Sequence, residues 1–143
     1  MNHGGKCENL HGHNYAVEVT VTGEKTDDVG RVVDFSIIKK LFKGWLDENW
    51  DHGFILWDQD RKTIDAISSL NSKLFLLPEN PTAENMAAYL LSEVGPALLR
   101  EVDGQLKLTQ VKLWETDESC AVVRSGPKEE STTWLEASLG ESQ

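Results

Sequence analysis

The chain has 143 residues, the size of one domain with room for a hydrophobic core. A net charge of −10, from 24 acidic and 14 basic residues, argues against a nucleic acid as the main partner. No apolar run approaches the roughly 18 residues of a membrane span, and residues 1 to 12 lack the apolar core of a secretory signal. We therefore expect a cytoplasmic protein that binds neither nucleic acid nor membrane, with Cys7 and Cys120 as free thiols.

The first half of the chain predicts a strand followed by a long helix. Residues 14 to 22 alternate apolar and polar side chains, as expected of a strand with one buried face. A turn over 23 to 30 and a short returning strand over 31 to 33 are expected to follow. Asp34 is a suitable N-cap for a helix over 36 to 48, whose apolar residues recur at helical spacing.

The middle of the chain predicts shorter elements and a second long helix. A loop carrying Asp51-His52 precedes a short helix over 61 to 70 and a short strand over 73 to 77. Thr82 is a plausible N-cap for the second long helix, which we expect Gly95-Pro96 to interrupt.

A strand over 106 to 116 is expected to pair with residues 121 to 124, and residues 126 to 143 resemble a frayed polar tail in which Trp134 and Leu135 could dock. The order of elements predicts an α+β domain over residues 1 to 125. Its two main helices would pack on one face of an antiparallel sheet.

The strongest chemical signal is the run from Cys7 through His11 and His13 to Tyr15. Histidines two residues apart at the start of a strand project to the same side, so both imidazoles can reach one metal ion. Neutral imidazole suits zinc, although a bare pair of this kind is as often two exposed loop histidines. Cys7 lies beside Lys6 in a glycine-containing loop, where its pKa could fall far enough for the thiol to accept a proton.

Several other polar residues each have an ordinary structural explanation as well as a functional one. Asp51 could fix the tautomer of His52, yet such neighbours are common in solvated loops. Glu115, near the end of a predicted strand, could accept two parallel N–H bonds from a planar heterocycle, or be a surface glutamate. Thr82 and Glu84 indicate first a helix start and only second a ligand-binding turn.

Taken in order, these segments resemble the 6-pyruvoyl-tetrahydropterin synthase superfamily. The matching motifs are Cys-x3-His-Gly-His-Asn-Tyr at 7 to 15, Gly-x-Val-x-Asp-Phe at 30 to 35, Asp51-His52, Asn-Pro-Thr-Ala-Glu-Asn at 80 to 85 and Trp-Glu-Thr at 114 to 116. The three residues between Cys7 and His11 resemble the 6-carboxy-tetrahydropterin branch, which serves queuosine biosynthesis.

The resemblance implies the tunnelling fold, in which domains assemble through their sheets into barrels, commonly hexamers of stacked trimers with active sites at subunit interfaces. It implies that His11 and His13 bind Zn²⁺ and that Cys7 is the general base. Asp51 and His52 would relay protons, and Glu115 would anchor the pterin, with Thr82 and Glu84 also binding substrate.

The implied reaction is a carbon–carbon lyase reaction on 7,8-dihydroneopterin triphosphate, which yields 6-carboxy-tetrahydropterin, acetaldehyde and triphosphate. Two alternatives stay open: pyruvoyl-tetrahydropterin synthase or sepiapterin-cleaving activity on the same scaffold, and a non-catalytic subunit that binds zinc or pterin. Family members draw a third zinc histidine from a strand that precedes the cysteine. Here we expect either His3 or a histidine upstream of Met1 in that role. The stretch from Gly53 to Glu79 has no functional interpretation from the sequence.

Overall fold

The structure, a computed structural model, describes residues 11–126 and, for the backbone alone, residues 134–137. Its strands are β1 (Ala16–Thr22), β2 (Phe54–Trp57), β3 (Leu74–Leu77), β4 (Lys107–Thr116), β5 (Ser119–Arg124) and β6 (Trp134–Ala137). Its helices are α1 (Phe35–Asn49), α2 (Arg61–Ser68), α3 (Ala83–Tyr89) and α4 (Gly95–Arg100), and a π-helical segment (Leu90–Val94) joins α3 to α4. None of these helices is long and apolar enough to cross a membrane.

The main sheet is antiparallel and has the strand order β1-β4-β5-β6. In β1 the residues Val17, Val19 and Val21 are half-buried, while the residues between them are exposed. This alternation follows from the period of two in a strand, and it confirms the prediction that one face of this strand packs on the core. β1 lies beside β4, with Ala16 opposite Trp114.

The hydrophobic core lies between the sheet and the helices. Val111 and Leu113 of β4 are fully buried, as are residues of α3 and the π-helical segment, which pack on β4 and β5. α1 adds Ile38 and Phe42 to the same cluster. The α+β class is therefore confirmed, with α1 and the α3–α4 stretch contributing to one shared core.

The predicted strand over 31 to 33 is wrong. The Asp27 carboxylate accepts hydrogen bonds from the backbone N–H groups of Val29 and Arg31, and the Arg31 side chain donates to the same carboxylate. Gly30 adopts a positive φ of 85°, which glycine tolerates without steric cost. Because Asp27 captures these N–H groups, the segment forms a turn in place of a strand. The predicted N-cap is confirmed, since Asp34 accepts from the backbone N–H of Ser36.

The prediction that Gly95-Pro96 interrupts the second long helix is also wrong. The chain stays helical from Ala83 to Arg100, and the N–H of Gly95 donates to the Leu90 carbonyl across the π-helical segment. This wider turn accommodates the proline, which lies in the first turn of α4 and needs no intrahelical donor there. Gly95 packs so closely on Leu108 of β4 that a Cβ atom would clash.

The sequence did not predict β2 or β6. β2 pairs in parallel with β3, and α2 forms the connection between them, so residues 54–77 form a strand–helix–strand unit. β6 pairs antiparallel with β5, so the interpretation of residues 126–143 as a frayed tail does not hold for Trp134–Ala137.

Candidate active site

The predicted metal ligands and the predicted pterin anchor lie together at one end of the sheet. The Nε2 atoms of His11 and His13 are 2.9 Å apart, and Nε2 of His13 is 3.2 Å from Oε1 of Glu115. The His13 ring also contacts the Tyr15 ring, with centroids 5.5 Å apart. Two imidazoles and a carboxylate thus converge on one small region.

The register of the sheet explains this convergence. Because Ala16 lies opposite Trp114, the chain just before β1 runs alongside the carboxyl end of β4, where Glu115 is located. Tyr15 packs against the core, on the same face as Val17. Ala16 and Trp114 line a shallow pocket at this end of the sheet.

The geometry of the two histidines suits a shared metal ion. Two imidazole nitrogens at a Zn–N distance of about 2.0–2.1 Å and a tetrahedral angle are about 3.3 Å apart, so a small opening of the observed pair would admit zinc. Within residues 11–126, no group of three or more His, Cys, Asp or Glu side chains could hold a metal ion.

A second polar group lies in the turn after α1. Nδ1 of His52 is 2.8 Å from Oδ2 of Asp51, and the pair is exposed, with 92% of the His52 side chain accessible. His52 has a positive φ of 53°, and this left-handed backbone lets two neighbouring side chains meet. In the part of the chain that the structure describes, no hydrogen bond or ion pair joins Asp51 or His52 to His13 or Glu115.

The charge of Asp51 is stabilised by its surroundings. The hydrogen bond from His52 lowers the pKa of the Asp51 carboxyl most, and desolvation opposes this effect. The charges of His52, Lys73 and Lys43 lower the same pKa further. Asp51 is therefore an ionised acceptor at neutral pH, and Nδ1 of His52 is the donor of the hydrogen bond between them.

Comparison with known proteins now identifies the family. Residues 1–126 match the family model described as 6-pyruvoyl tetrahydropterin synthase. The chain belongs to this family. The 6-carboxy-5,6,7,8-tetrahydropterin synthase of Rickettsia bellii is 44% identical over 117 residues, which cover 81% of this chain and 83% of the relative. The enzyme of the same name from Haemophilus influenzae is 35% identical over 124 residues, which cover 82% and 83% of the two chains.

Solved structures show the same family fold. An uncharacterized protein from Wolinella succinogenes superposes with a TM-score of 0.63 at 22% identity, covering 84% of this chain and 81% of that one. A Plasmodium vivax 6-pyruvoyltetrahydropterin synthase superposes with a TM-score of 0.61 at 22% identity, covering 83% of each chain. At this identity the likeness concerns the fold alone.

The remaining residues that the family resemblance singled out are only partly described. Thr82 is the N-cap of α3, because its side chain accepts a hydrogen bond from the backbone N–H of Asn85, and Glu84 lies half-buried in the first turn of that helix. Cys120 is buried, as expected of a structural thiol. Cys7 and His3 lie outside the described residues.

Sequence reasoning missed one residue at this site. Lys73, immediately before β3, donates hydrogen bonds to the backbone carbonyl groups of Asp47 and Asp51. No motif includes this lysine, and a single lysine before a short apolar strand carries no signal of such a role. Only the parallel pairing of β2 with β3 brings it beside the turn.

Proposed function

We propose that this chain is a 6-carboxy-5,6,7,8-tetrahydropterin synthase of queuosine biosynthesis. It would convert 7,8-dihydroneopterin triphosphate to 6-carboxy-tetrahydropterin, with release of acetaldehyde and triphosphate, as a carbon–carbon lyase of the cytoplasm. The observation that carries the proposal is the convergence of His11, His13 and Glu115 in a chain so similar to synthases of that name.

In this proposal, His11 and His13 would hold a zinc ion, together with a third ligand from outside residues 11–126. Bound zinc would act as a Lewis acid that polarises the side-chain oxygens of the substrate and makes the adjacent carbon more acidic. His13 and Glu115 are within 3.2 Å of each other, so metal and pterin would be held side by side. Adjacent binding sites align the reacting carbon with the protein groups that move its protons.

The remaining side chains would bind and exchange protons. The Glu115 carboxylate would accept two parallel N–H bonds from the pterin ring, and Thr82 and Glu84 would contact the substrate from the start of α3. Cys7 would take the proton from carbon. His52, with Nδ1 held by Asp51, would exchange a proton with a substrate hydroxyl through Nε2.

We further propose a homo-oligomer, a hexamer of stacked trimers. Two observations support it: the Asp51–His52 pair is exposed, and in the described residues no hydrogen bond or ion pair joins it to the strand-end cluster. An active site that combines the pair of one subunit with the cluster of another would unite both groups.

The alternative from another class is a non-catalytic subunit that binds zinc or pterin. The ionised Asp51 bonded to His52 disfavours it, because a pure binding protein has no need of a proton-exchanging pair. A second enzymatic alternative is formation of 6-pyruvoyl-tetrahydropterin on the same scaffold.

Product analysis distinguishes these functions. Purified protein is incubated with 7,8-dihydroneopterin triphosphate, and the products are identified by mass spectrometry, with Cys7→Ala as the matched control. We expect 6-carboxy-tetrahydropterin and acetaldehyde from the wild type, and turnover lower by about 10² or more in a folded control that retains its zinc. A pyruvoyl product would assign the second enzymatic function, and binding of the pterin without turnover would assign the non-catalytic one.

A further inference from the structure

The carboxyl end of α1 lacks a cation of its own. The last turn of this helix contains no basic residue, although its terminal carbonyl groups have no partners within the helix and carry the negative end of the helix dipole. The N–H groups of Trp50 and Asp51 both donate to the Leu46 carbonyl, which ends the helix and begins the turn. The carbonyl groups after Leu46 are therefore open to a donor from another part of the chain.

Lys73 supplies those donors from a distant element. Its Nζ atom is 2.7 Å from the Asp47 carbonyl and 2.7 Å from the Asp51 carbonyl. One ammonium group thus bridges the last turn of α1 and the residue immediately before His52. Hydrogen bonds from a charged donor are about twice as strong as those from a neutral one.

The backbone around this lysine is tied to the same turn. The N–H of Phe54 donates to the Lys73 carbonyl at 2.9 Å, and the N–H of Gly53 donates to the Trp50 carbonyl at 3.1 Å. A Cβ atom on Gly53 would lie 3.2 Å from Cγ of Lys73 and 3.3 Å from Cδ. The lysine stem therefore crosses the turn in close contact with Gly53, which leaves room for it.

These contacts act on a strained residue. A left-handed φ of 53° at His52 is unfavourable for a residue with a Cβ atom, and such a backbone persists only where its neighbours hold it. The Lys73 hydrogen bonds fix the backbone on the amino-terminal side of His52, and the Gly53 and Phe54 hydrogen bonds fix it on the other side.

We propose that Lys73 is a positioning residue, whose ammonium joins the end of α1 to the β2–β3 unit and so holds the Asp51–His52 pair in the geometry for proton exchange. This inference rests on the proposed function for the role of His52. It gives residues 53 to 79 a function that the sequence did not indicate, because the strand–helix–strand unit carries the lysine to the turn.

A purely electrostatic effect of the lysine is the main alternative. Lys43 offers a matched control, because its charge also lowers the pKa of Asp51, while its Nζ atom bonds to the Asp47 carboxylate and not to the backbone of the turn. Lys73→Met removes the ammonium and keeps most of the stem. Lys73→Arg keeps a charged donor with several N–H groups.

The experiment measures steady-state kinetics and metal content. It also measures the NMR backbone carbon chemical shifts of His52 in protein labelled at histidine, where only four residues give signals. In Lys73→Met we expect kcat to fall by roughly 10- to 100-fold, because small misplacements of a reacting group have effects of that size. KM and metal content should stay near the wild-type values, and the His52 shifts should lose their left-handed signature. Lys73→Arg should keep most of the activity, and Lys43→Met should stay within about twofold, since exposed ion pairs contribute little.

Three outcomes would overturn the proposal: wild-type kcat in Lys73→Met, an equal loss in Lys43→Met, or a loss of kcat with unchanged His52 shifts. Should Lys73→Met fail to fold, Gly53→Ala replaces it. The added methyl group would lie 3.2 Å from the lysine stem and 3.3 Å from the Trp50 carbonyl oxygen, so both must give by a few tenths of an ångström, and a smaller fall in kcat with altered His52 shifts is expected. Should the wild type not turn over the substrate, the proposed function fails, and the His52 shifts alone decide whether Lys73 holds the turn.

Discussion

The two polar groups of the candidate active site differ in how they are built. In the strand-end cluster, Glu115 belongs to β4 while His11 and His13 lie just before β1, and 23% and 38% of the His13 and Glu115 side chains are exposed. The Asp51–His52 turn follows a helix, and 92% of the His52 side chain is exposed. One group takes its geometry from a strand ladder, and the other from a few hydrogen bonds around a turn.

This difference suggests that the two groups have separate functions, binding for the cluster and proton exchange for the turn. Ladder hydrogen bonds between β1 and β4 hold the chain just before β1 beside the carboxyl end of β4, which suits groups that must bind a metal or a rigid ring. A turn with a left-handed residue is easier to displace, and its imidazole is exposed for proton exchange. Substitutions in the cluster should therefore affect binding, and those in the turn should affect turnover.

The largest effect is expected from the cluster. His13→Ala should lose both the bound metal and turnover, because His11 and one further ligand are too few to retain zinc. Losing a Lewis acid forfeits several kcal/mol of transition-state stabilisation, so turnover should fall by about 10³ or more. Metal per chain is measured by elemental analysis after dialysis against a weak chelator. Full metal content in a folded His13→Ala protein would contradict the assignment of this ligand.

His52→Ala tests the other half of the comparison. Its turnover should fall by about 10² or more, the usual scale for losing an acid–base group, while its metal content and pterin affinity stay unchanged. The side chain is almost fully exposed, so its removal should leave thermal unfolding near that of the wild type. Loss of metal together with turnover would show that the two groups are not separate.

The sequence predicts the strand-end cluster better than its surroundings, for a physical reason. The spacing of His11 and His13 is a local property, so the sequence could predict that both imidazoles lie close together, although both residues precede β1. The meeting of His13 with Glu115 depends on register between strands about a hundred residues apart. The family motifs indicated those residues, yet only the pairing of β1 with β4 shows their contact.

The elements that the sequence analysis missed share a dependence on distant partners. β2 is a short apolar segment of four residues that becomes a strand because it pairs with β3, and this pairing brings Lys73 to the turn. The break at Gly95-Pro96 was predicted from local preferences, which the packing of Gly95 against Leu108 overrides. The wrongly predicted strand over 31 to 33 has a local cause, because the Asp27 carboxylate accepts the Arg31 backbone N–H that a strand would need.

A smaller effect is expected at Glu115. Glu115→Gln keeps the shape of the side chain but replaces one acceptor oxygen with a donor, so it should weaken binding of a pterin product by roughly tenfold, as expected for loss of a charged hydrogen bond. Calorimetry of the zinc-loaded protein measures this affinity. Because Glu115 lies 3.2 Å from His13, metal content is measured in the same samples. Equal pterin affinity in both proteins would refute the anchoring role.

The smallest effect concerns the unit that carries Lys73. Asp60 is the N-cap of α2, and hydrogen bonds from the Thr63 hydroxyl and backbone lower the pKa of its carboxyl. A carboxyl whose pKa is lower in the folded state stabilises the fold above its unfolded pKa, and that contribution disappears as the pH falls through the folded value.

Asp60→Ser keeps a capping oxygen that does not titrate in this range. We therefore expect the variant to be slightly less stable than the wild type at neutral pH, and the difference to shrink below about pH 4. Urea unfolding of both proteins between pH 3 and pH 7 measures it. A difference that is independent of pH would show that the Asp60 charge does not stabilise α2. The backbone carbon shifts of His52 in Asp60→Ser at neutral pH should match those of the wild type. Asp60 lies at the opposite end of the strand–helix–strand unit from Lys73, so the substitution should leave both Lys73 hydrogen bonds in place.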